Sequence, residues 1–223
     1  MIVLVCLESA APSLASQAAL HLASTLGETS ETVVLWASGE RQDSALDWLR
    51  PCAAVRRIVH LQDGLLAKAD FVTLGMILAE TARHLKAMVI LTGEHSDLEG
   101  QGMVPAALAH HLKAPYFARV ERVELPSREE DPLLLTLRSG GRRCKVASPL
   151  PAVLAIPPSG PLPPLEVGKR VIDIELLTLA QVGLDASRIV PRPSLLGDHV
   201  PASAPAVCTI TFDEAAKILL QGQ

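Results

Sequence analysis

The chain has 223 residues, 49% hydrophobic and 20% charged, a mixture typical of a folded globular protein rather than a disordered one. A formal net charge of -4 gives no electrostatic basis for binding nucleic acid over a broad face, and no apolar run reaches the ~18–20 residues needed to cross a bilayer. The four cysteines lie far apart without a Cys-x-x-Cys pair, which argues against a thiol redox site or a zinc site. We expect no metal, no nucleic acid partner, no direct membrane insertion, and a cytoplasmic location, or the mitochondrial matrix in a eukaryote.

The first half of the chain alternates strand and helix patterns. Residues 2–7 form a continuous apolar run, which predicts a buried strand. The helix that should follow has apolar residues spaced four apart, which are Leu14, Ala18, Leu22 and Leu26. A second unit pairs a strand at residues 33–37 with a helix over residues 45–49, and residues 58–61 predict a further short strand.

The third unit contains the longest predicted helix, between Gly64 and Lys86, followed by a buried strand at residues 88–91. A loop rich in glycine and acidic residues covers 92–102, and a helix is predicted over 103–112. Nearly all-apolar strands that alternate with helices are typical of a parallel sheet covered on both faces. The sequence therefore predicts an α/β fold with a doubly wound, mainly parallel sheet.

Strand patterns dominate after Tyr116. They fall at residues 117–125, 133–138, 144–146 and 152–156. Ser139-Gly140-Gly141 predicts a hairpin turn, so we expect antiparallel additions at the sheet edge. Residues 149–205 hold 11 of the 17 prolines and predict an extended segment, with a last helix from Thr211. This segment is either an arm that reaches across a partner chain or a wrap on the chain's own surface.

The best candidate ligand site is the loop after the strand at 88–91. In an open α/β sheet, ligands bind beyond the carboxyl ends of the strands, where glycines let the backbone approach a phosphate. Gly100 and Gly102 stand directly before the next helix, and the strands that end near Cys6 and Ser38 should reach the same edge. The loop is neither a Gly-x-Gly-x-x-Gly fingerprint nor a Walker loop, and the alternative is a solvated loop with acids at a helix N-terminus.

The order of these segments resembles the electron transfer flavoprotein beta subunit family over almost the whole chain. The most specific stretch runs from the strand at 88–91 through Gly93 and the loop to Pro115. Similar segments follow as a Gly-Gly hairpin turn, Leu-Pro-Ala-Val at 150–153, Lys-Arg at 169–170 and Val-Gly-Leu-Asp at 182–185. The chain differs in that the family's insertion after the first strand, with its Asn-Pro-aromatic motif, is reduced to residues 9–13. It resembles a shortened or divergent member.

The resemblance implies the beta subunit of a heterodimer, an electron carrier without hydrolytic chemistry. Its alpha subunit would hold most of a shared FAD, while the beta chain would hold AMP. The insertion that forms one side of the AMP pocket in the family is shortened in this chain. Electrons would come from flavin dehydrogenases and leave to a quinone oxidoreductase or the respiratory chain. The cofactor-binding residues implied are Cys6, Ser38, Gly93, Asp97, Glu99, Gly100, Gln101, Gly102, Met103 and Val104.

The resemblance also implies how the chain is divided. Residues 1–156 would form the nucleotide-binding-like domain, 157–185 a Pro-rich recognition-loop region, and 186–223 a C-terminal arm and helix packing on the partner subunit. Leu162 and Leu165 would be the docking residues, and the alternative is a proline linker with incidental leucines. Six aromatic residues leave little for stacking on a flavin ring, so any flavin needs help from another protein.

Two other classes share this predicted fold. A stand-alone nucleotide-binding regulatory module of the universal-stress-protein type would have the same doubly wound sheet, although the Pro-rich arm and the hairpin argue against it. A nucleotide-cleaving enzyme would need a lysine or a metal site beside the phosphates, and the sequence offers neither pattern.

Overall fold

The chain alternates strands and helices through its first half, as the apolar periodicity predicts. The computed structural model describes residues 1–7, 13–27, 30–39, 49, 52–95, 102–128, 131–158, 160, 162, 172–185, 187 and 189. These belong to one unit, Met1–Arg192, whereas the second unit, Pro193–Gln223, lies outside the described residues. The predicted C-terminal arm and its helix at Thr211 therefore lie outside them too, as does the helix expected at 45–49 apart from Leu49.

The strands are β1 (Ile2–Leu7), β2 (Glu31–Ser38), β3 (Val55–Gln62), β4 (Val89–Gly93), β5 (Tyr116–Phe117), β6 (Val120–Glu124), β7 (Leu133–Ser139), β8 (Arg142–Ser148), β9 (Ala152–Ile156) and β10 (Ile174–Leu177). The helices are α1 (Leu14–Ser24), α2 (Phe71–His84) and α3 (Met103–Leu112), and a 3-10 helix covers Gly64–Lys68. Among the described residues, no helix combines the length and apolar content needed to cross a membrane.

Seven strands form the main sheet in the order β10-β3-β2-β1-β4-β9-β5, and every neighbouring pair is parallel. Side chains alternate between its two faces. Leu4 and Cys6 of β1 belong to the cluster that includes α2 and α3, whereas Val3, Val5 and Leu7 belong to the cluster that includes α1. Helices thus cover both faces, which confirms the doubly wound α/β fold.

The hairpin at Gly140-Gly141 is confirmed, with both glycines at positive φ (+55° and +80°) in a two-residue turn between β7 and β8. Together with β6 these strands form a separate three-stranded antiparallel sheet whose Val120 and Leu133 pack in the α1-face cluster. Residues 152–156 are not an antiparallel addition, and that expectation is wrong: they form β9, which is parallel and lies between β4 and β5. All five residues of β9 are buried, as in the interior strand of a two-sided sheet.

Two helices differ from their predictions. The stretch between Gly64 and Lys86 is a 3-10 helix followed by α2, because Asp63 and Asp70 each accept a backbone hydrogen bond and start a new helix. In α1 the predicted apolar face is only partly buried: Leu14 is 61% exposed, and the buried positions are mainly alanines. The short alanine side chains let α1 lie close to the sheet. Leu14 and Leu22 therefore lie beside the buried face of α1 rather than at its centre.

Strand β10 was not predicted from the sequence. Its four residues pair with β3 at the edge of the main sheet, within the stretch where the prolines predict little regular structure. An exposed ion pair between Arg57 of β3 and Glu175 of β10, at 2.7 Å, crosses this pair of strands.

Candidate functional site

The strand order reverses at the middle of the main sheet. The chain passes from β1 to β2 and β3 on one side, whereas β4 lies on the other side of β1 and is followed there by β9. The helices after β1 and β4 pack on opposite faces, so the two connections diverge. In an open α/β sheet, such a divergence creates a crevice at the carboxyl ends of the strands. Ligands of open α/β sheets bind at such a switch point. The loop singled out from the sequence leaves β4 at this crevice.

Gly93 ends β4 against helix α1. A Cβ at this position would lie 3.0 Å from the backbone nitrogen of Ser16 and 3.1 Å from the Cβ of Ala15, so a side chain would press on the first turn of α1. Ser13 caps that turn, its hydroxyl accepting a 3.2 Å hydrogen bond from Ser16 N–H. The absence of a side chain at Gly93 thus sets how closely α1 approaches the sheet beside the crevice.

Gly102 begins helix α3 in the left-handed region, at φ +62° and ψ +20°. A Cβ there would lie 2.4 Å from the carbonyl oxygen of Glu94, so the two ends of the loop touch through their backbones. Gly102 has no side chain to cap the helix, and the N–H groups of Met103 and Val104 start the first turn. A helix N-terminus at a switch point, with no side chain on its N-cap residue, is suited to a phosphate group. Met103 is exposed and Val104 is buried.

Cys6 and Ser38 end neighbouring strands, but their side chains lie on opposite faces of the sheet. Cys6 is 2% exposed and belongs to the cluster on the α2 and α3 face. Ser38 follows Trp36 by two residues, and Trp36 belongs to the α1-face cluster. Cys6 is in register with Leu35, three residues before Ser38, so the structure does not bring the two side chains together.

A buried histidine lies within hydrogen-bond distance of the Ser38 hydroxyl. The Ser38 hydroxyl lies 2.8 Å from Nε2 of His60, which is fully buried in β3. The His60 ring also stacks on Trp36, with ring centroids 4.4 Å apart and planes 15° apart. No sequence pattern identified His60, because a single histidine inside an apolar strand carries no spacing signal. Its partners become apparent only once β2 and β3 are paired in register.

Of the remaining predicted site and docking residues, the structure describes only Leu162. Asp97, Glu99, Gly100 and Gln101, which would complete the loop, lie outside the described residues, as does the docking residue Leu165. The other docking residue, Leu162, is half-buried and packs against the α1-face cluster. In the described part of the chain, no three His, Cys, Asp or Glu side chains come together as a metal site would require.

Glu94 gives the end of β4 a negative charge. Its carboxylate is mostly buried and lies 3.3 Å from Nε of Arg119, a charge-assisted contact. Burial raises the pKa of the nearby Tyr116 hydroxyl, and the charge of Glu94 raises it further. Among the described residues at this edge, the negative charge of Glu94 is therefore paired with Arg119.

Comparison with known proteins identifies the family. The model of the electron transfer flavoprotein domain matches residues 3–181. A search of curated proteins found no match. The matched segment includes the strands that form the crevice, the loop between Gly93 and Gly102, and the antiparallel sheet. Because the match covers well over half of the chain, the chain belongs to the electron transfer flavoprotein family, whose members are flavin-associated electron carriers.

Proposed function

We propose that the chain is the beta subunit of a heterodimeric electron transfer flavoprotein. In this role it supports FAD-mediated electron transfer from flavin dehydrogenases to a quinone oxidoreductase or respiratory chain. The observation that carries the proposal is the family match over residues 3–181, since it covers the sheet, the switch-point loop and the hairpin as one block. The order of segments along the chain, which resembles the beta subunit, favours that subunit within the family.

The supply of aromatic side chains supports a shared flavin. The chain has only six aromatic residues. Trp36, near the carboxyl end of β2, is 3% exposed and stacked on His60, so it does not present a face for an isoalloxazine ring. An alpha subunit that contributes most of the FAD contacts would resolve this shortage. When bound, the flavin supplies the electron-carrying chemistry, and this chain supplies binding and orientation.

The N-terminus of α3 fits the phosphate of AMP. Gly102 contributes no side chain, and the first-turn N–H groups of Met103 and Val104 are the donors that a phosphate would use. Cys6 and Ser38 would border the nucleotide from the two faces of the sheet. In this proposal the pocket is completed by Gly93 and by the loop residues Asp97, Glu99, Gly100 and Gln101.

The proposal also assigns the rest of the chain. Residues 157–185 would present the recognition loop, with Leu162 and Leu165 as docking residues for a dehydrogenase. Residues 186–223 would pack on the alpha subunit, and residues 1–156 would form the nucleotide-binding-like domain. The half-exposed apolar side chain of Leu162 supports a docking role, because covering its exposed part with a partner's surface would gain hydrophobic free energy.

Co-purification tests the subunit assignment. The chain is expressed alone and together with its candidate alpha subunit, and each product is sized and extracted with acid for nucleotides. The proposal predicts a one-to-one complex on co-expression that releases AMP. A stable homodimer of the chain that ignores the alpha subunit, and that binds or hydrolyses ATP by itself, would contradict it.

A leucine substitution tests the docking role separately. Leu162→Ala should weaken binding of the complex to its dehydrogenase while leaving the complex itself intact. Leu134→Ala is the matched control, because Leu134 is 47% exposed on the antiparallel sheet and is not in the proposed recognition region. Equal loss in the two variants would remove Leu162 from the docking assignment.

A further inference from the structure

A second concavity lies on the α1 face of the sheet, between α1 and the antiparallel sheet. Its volume is about 840 Å³, within the range of about 300–1,000 Å³ that small-molecule sites occupy. Ile156 and Pro157 line it at the carboxyl end of β9, and Glu94 and His95 line it just after β4. None of the AMP-site candidates that the structure describes, which are Cys6, Ser38, Gly93, Gly102, Met103 and Val104, lines this cleft.

One wall of the cleft is apolar. Ala18 and Leu22 of α1 line it, and both belong to the predicted apolar face of α1, which is only partly buried against the sheet. Leu22 is only partly buried, so it presents apolar surface to the cleft. Pro157 and Leu162, both partly buried, extend this surface, whereas Val120 and Ile156 are buried beneath it. Such a wall gains free energy when an apolar group covers it.

The opposite wall is charged, and two backbone irregularities build it. Arg119, Val120, Glu121 and Arg122 all line the cleft, although alternate residues of a regular strand point to opposite faces. Arg119 has a left-handed backbone at φ +57°, and the register of β6 against β7 shifts between Val120 and Arg122. A bulge of this kind turns a side chain out of the regular alternation. A strained non-glycine residue beside a bulge is typical of functional sites.

Arginines form the outer part of this wall. Arg119, Arg122 and Arg138 have side chains that are 61%, 72% and 61% exposed, whereas Glu94 and Glu121 are 18% and 19% exposed. The guanidinium groups therefore lie toward solvent with the carboxylates behind them. Arg138 also donates its backbone N–H to the carbonyl of Arg119 at 3.0 Å, which keeps these two arginines adjacent.

The carboxylates behind the arginines are themselves paired. Glu121 contacts Arg143 at 2.8 Å and Arg138 at 2.5 Å, and these contacts, that with Arg143 foremost, lower the pKa of its carboxyl group. Glu94 contacts Arg119 at 3.3 Å. Among the described residues, the cleft lining thus holds three guanidinium groups and two carboxylates. A guanidinium has five N–H donors, so one ion pair does not exhaust it. Arg122 contacts Glu124 at 3.4 Å, so each of the three arginines has one carboxylate partner. Their remaining N–H donors face solvent at the mouth of the cleft and favour an anion.

We propose that this cleft binds a small anionic ligand with an apolar body. Its carboxylate or phosphate group would contact Arg119, Arg122 and Arg138, and its apolar part would lie against Leu22 and Pro157. The proposal does not depend on the subunit assignment, because it rests on the side chains of this chain alone. It adds a second binding site on the face of the sheet that carries α1.

Three probes of similar size separate the contributions. Phenyl phosphate, benzoate and benzyl alcohol share an aromatic body and differ in the head group. Calorimetric titration of the full-length protein, in the form in which it purifies, is carried out at low salt. At least one anion should bind about tenfold more tightly than the alcohol, because hydrogen bonds to charged groups are the stronger ones. The tighter anion identifies the head group as phosphate or carboxylate.

Substitutions then locate the site. Arg122→Gln should weaken binding of the preferred anion about tenfold, because it removes one guanidinium from the mouth. Arg142→Gln is the matched control, since Arg142 is exposed on the same sheet and does not line the cleft. Leu22→Ala should weaken phenyl phosphate or benzoate but leave the affinity for inorganic phosphate or acetate unchanged.

Three results would overturn the proposal. They are equal affinity for the alcohol and both anions, an unchanged affinity in Arg122→Gln, and an equal loss in Arg122→Gln and Arg142→Gln. Circular dichroism of each variant ensures that a loss reflects the site rather than unfolding. Arg122 is 72% exposed, so its replacement should leave the fold intact.

Discussion

Replacing Gly102 by alanine tests the contact that joins the two ends of the switch-point loop. The backbone of Gly102 is left-handed, which costs a residue with a Cβ about 1–2 kcal/mol. The added Cβ would also lie 2.4 Å from the carbonyl oxygen of Glu94, a backbone atom that cannot move alone. Overpacking of this kind costs about 1–3 kcal/mol. We therefore expect Gly102→Ala to lower the free energy of unfolding by about 2–5 kcal/mol.

Gly27→Ala is the matched control for this substitution. Gly27 is also left-handed, at φ +79°, but a Cβ there would meet nothing within 4 Å. Both variants share the backbone strain and the reduced entropy of the unfolded chain, so their difference isolates the steric contact with Glu94. Urea unfolding followed by tryptophan fluorescence measures both, since Trp36 is buried. Losses that agree to within about 0.5 kcal/mol would refute the contact.

Other substitutions test the helix packing, the buried polar contact and the charges. Gly75→Ala should cost about 1–3 kcal/mol of stability, because its Cβ would lie 2.6 Å from a side chain of α3; an unchanged urea midpoint would contradict this. Ser38→Ala should cost about 1–3 kcal/mol, because it removes the hydrogen bond to buried His60, and Ser38→Thr should cost less. Glu121→Gln should destabilise the protein at neutral pH, because Arg138 and Arg143 lower the pKa of the Glu121 carboxyl group only in the folded state. The loss of stability should vanish as the pH falls well below 4.5. Equal losses at neutral and at acidic pH would count against this. Tyr116, the single tyrosine, should ionise above pH 10.0 in an ultraviolet titration, since burial and the adjacent carboxylate raise its pKa; a midpoint at 10.0 or below would be the contrary result.

Most of the parallel sheet could be predicted because its strands are apolar runs with helices between them. The strands that became β1 to β4 and the helix α3 are all visible in the spacing of apolar residues. The pairing of β9 was not, since a buried run of five residues is equally compatible with an antiparallel hairpin and with an interior parallel strand. Strand β10 was missed for a similar reason, because its position depends on the free edge of β3.

The candidate site could be predicted only as an edge of the sheet. Glycines before α3 marked the loop, and Gly102 does adopt a conformation that favours glycine. The pairing of His60 with Ser38 depends on register between strands more than twenty residues apart, as their separation of 22 shows. The left-handed Arg119 and the bulge beside it carry no glycine or asparagine that would mark them, so the arginine wall of the cleft appears only in three dimensions.

We propose that this chain completes a flavin site that it cannot form alone. The most direct test is a visible absorption spectrum of three samples at equal protein concentration: this chain, its candidate alpha subunit, and the two purified together. We expect the one-to-one complex to be yellow, with a flavin band that this chain alone lacks. A colourless complex, or a flavin band of full intensity in this chain without its partner, would contradict it.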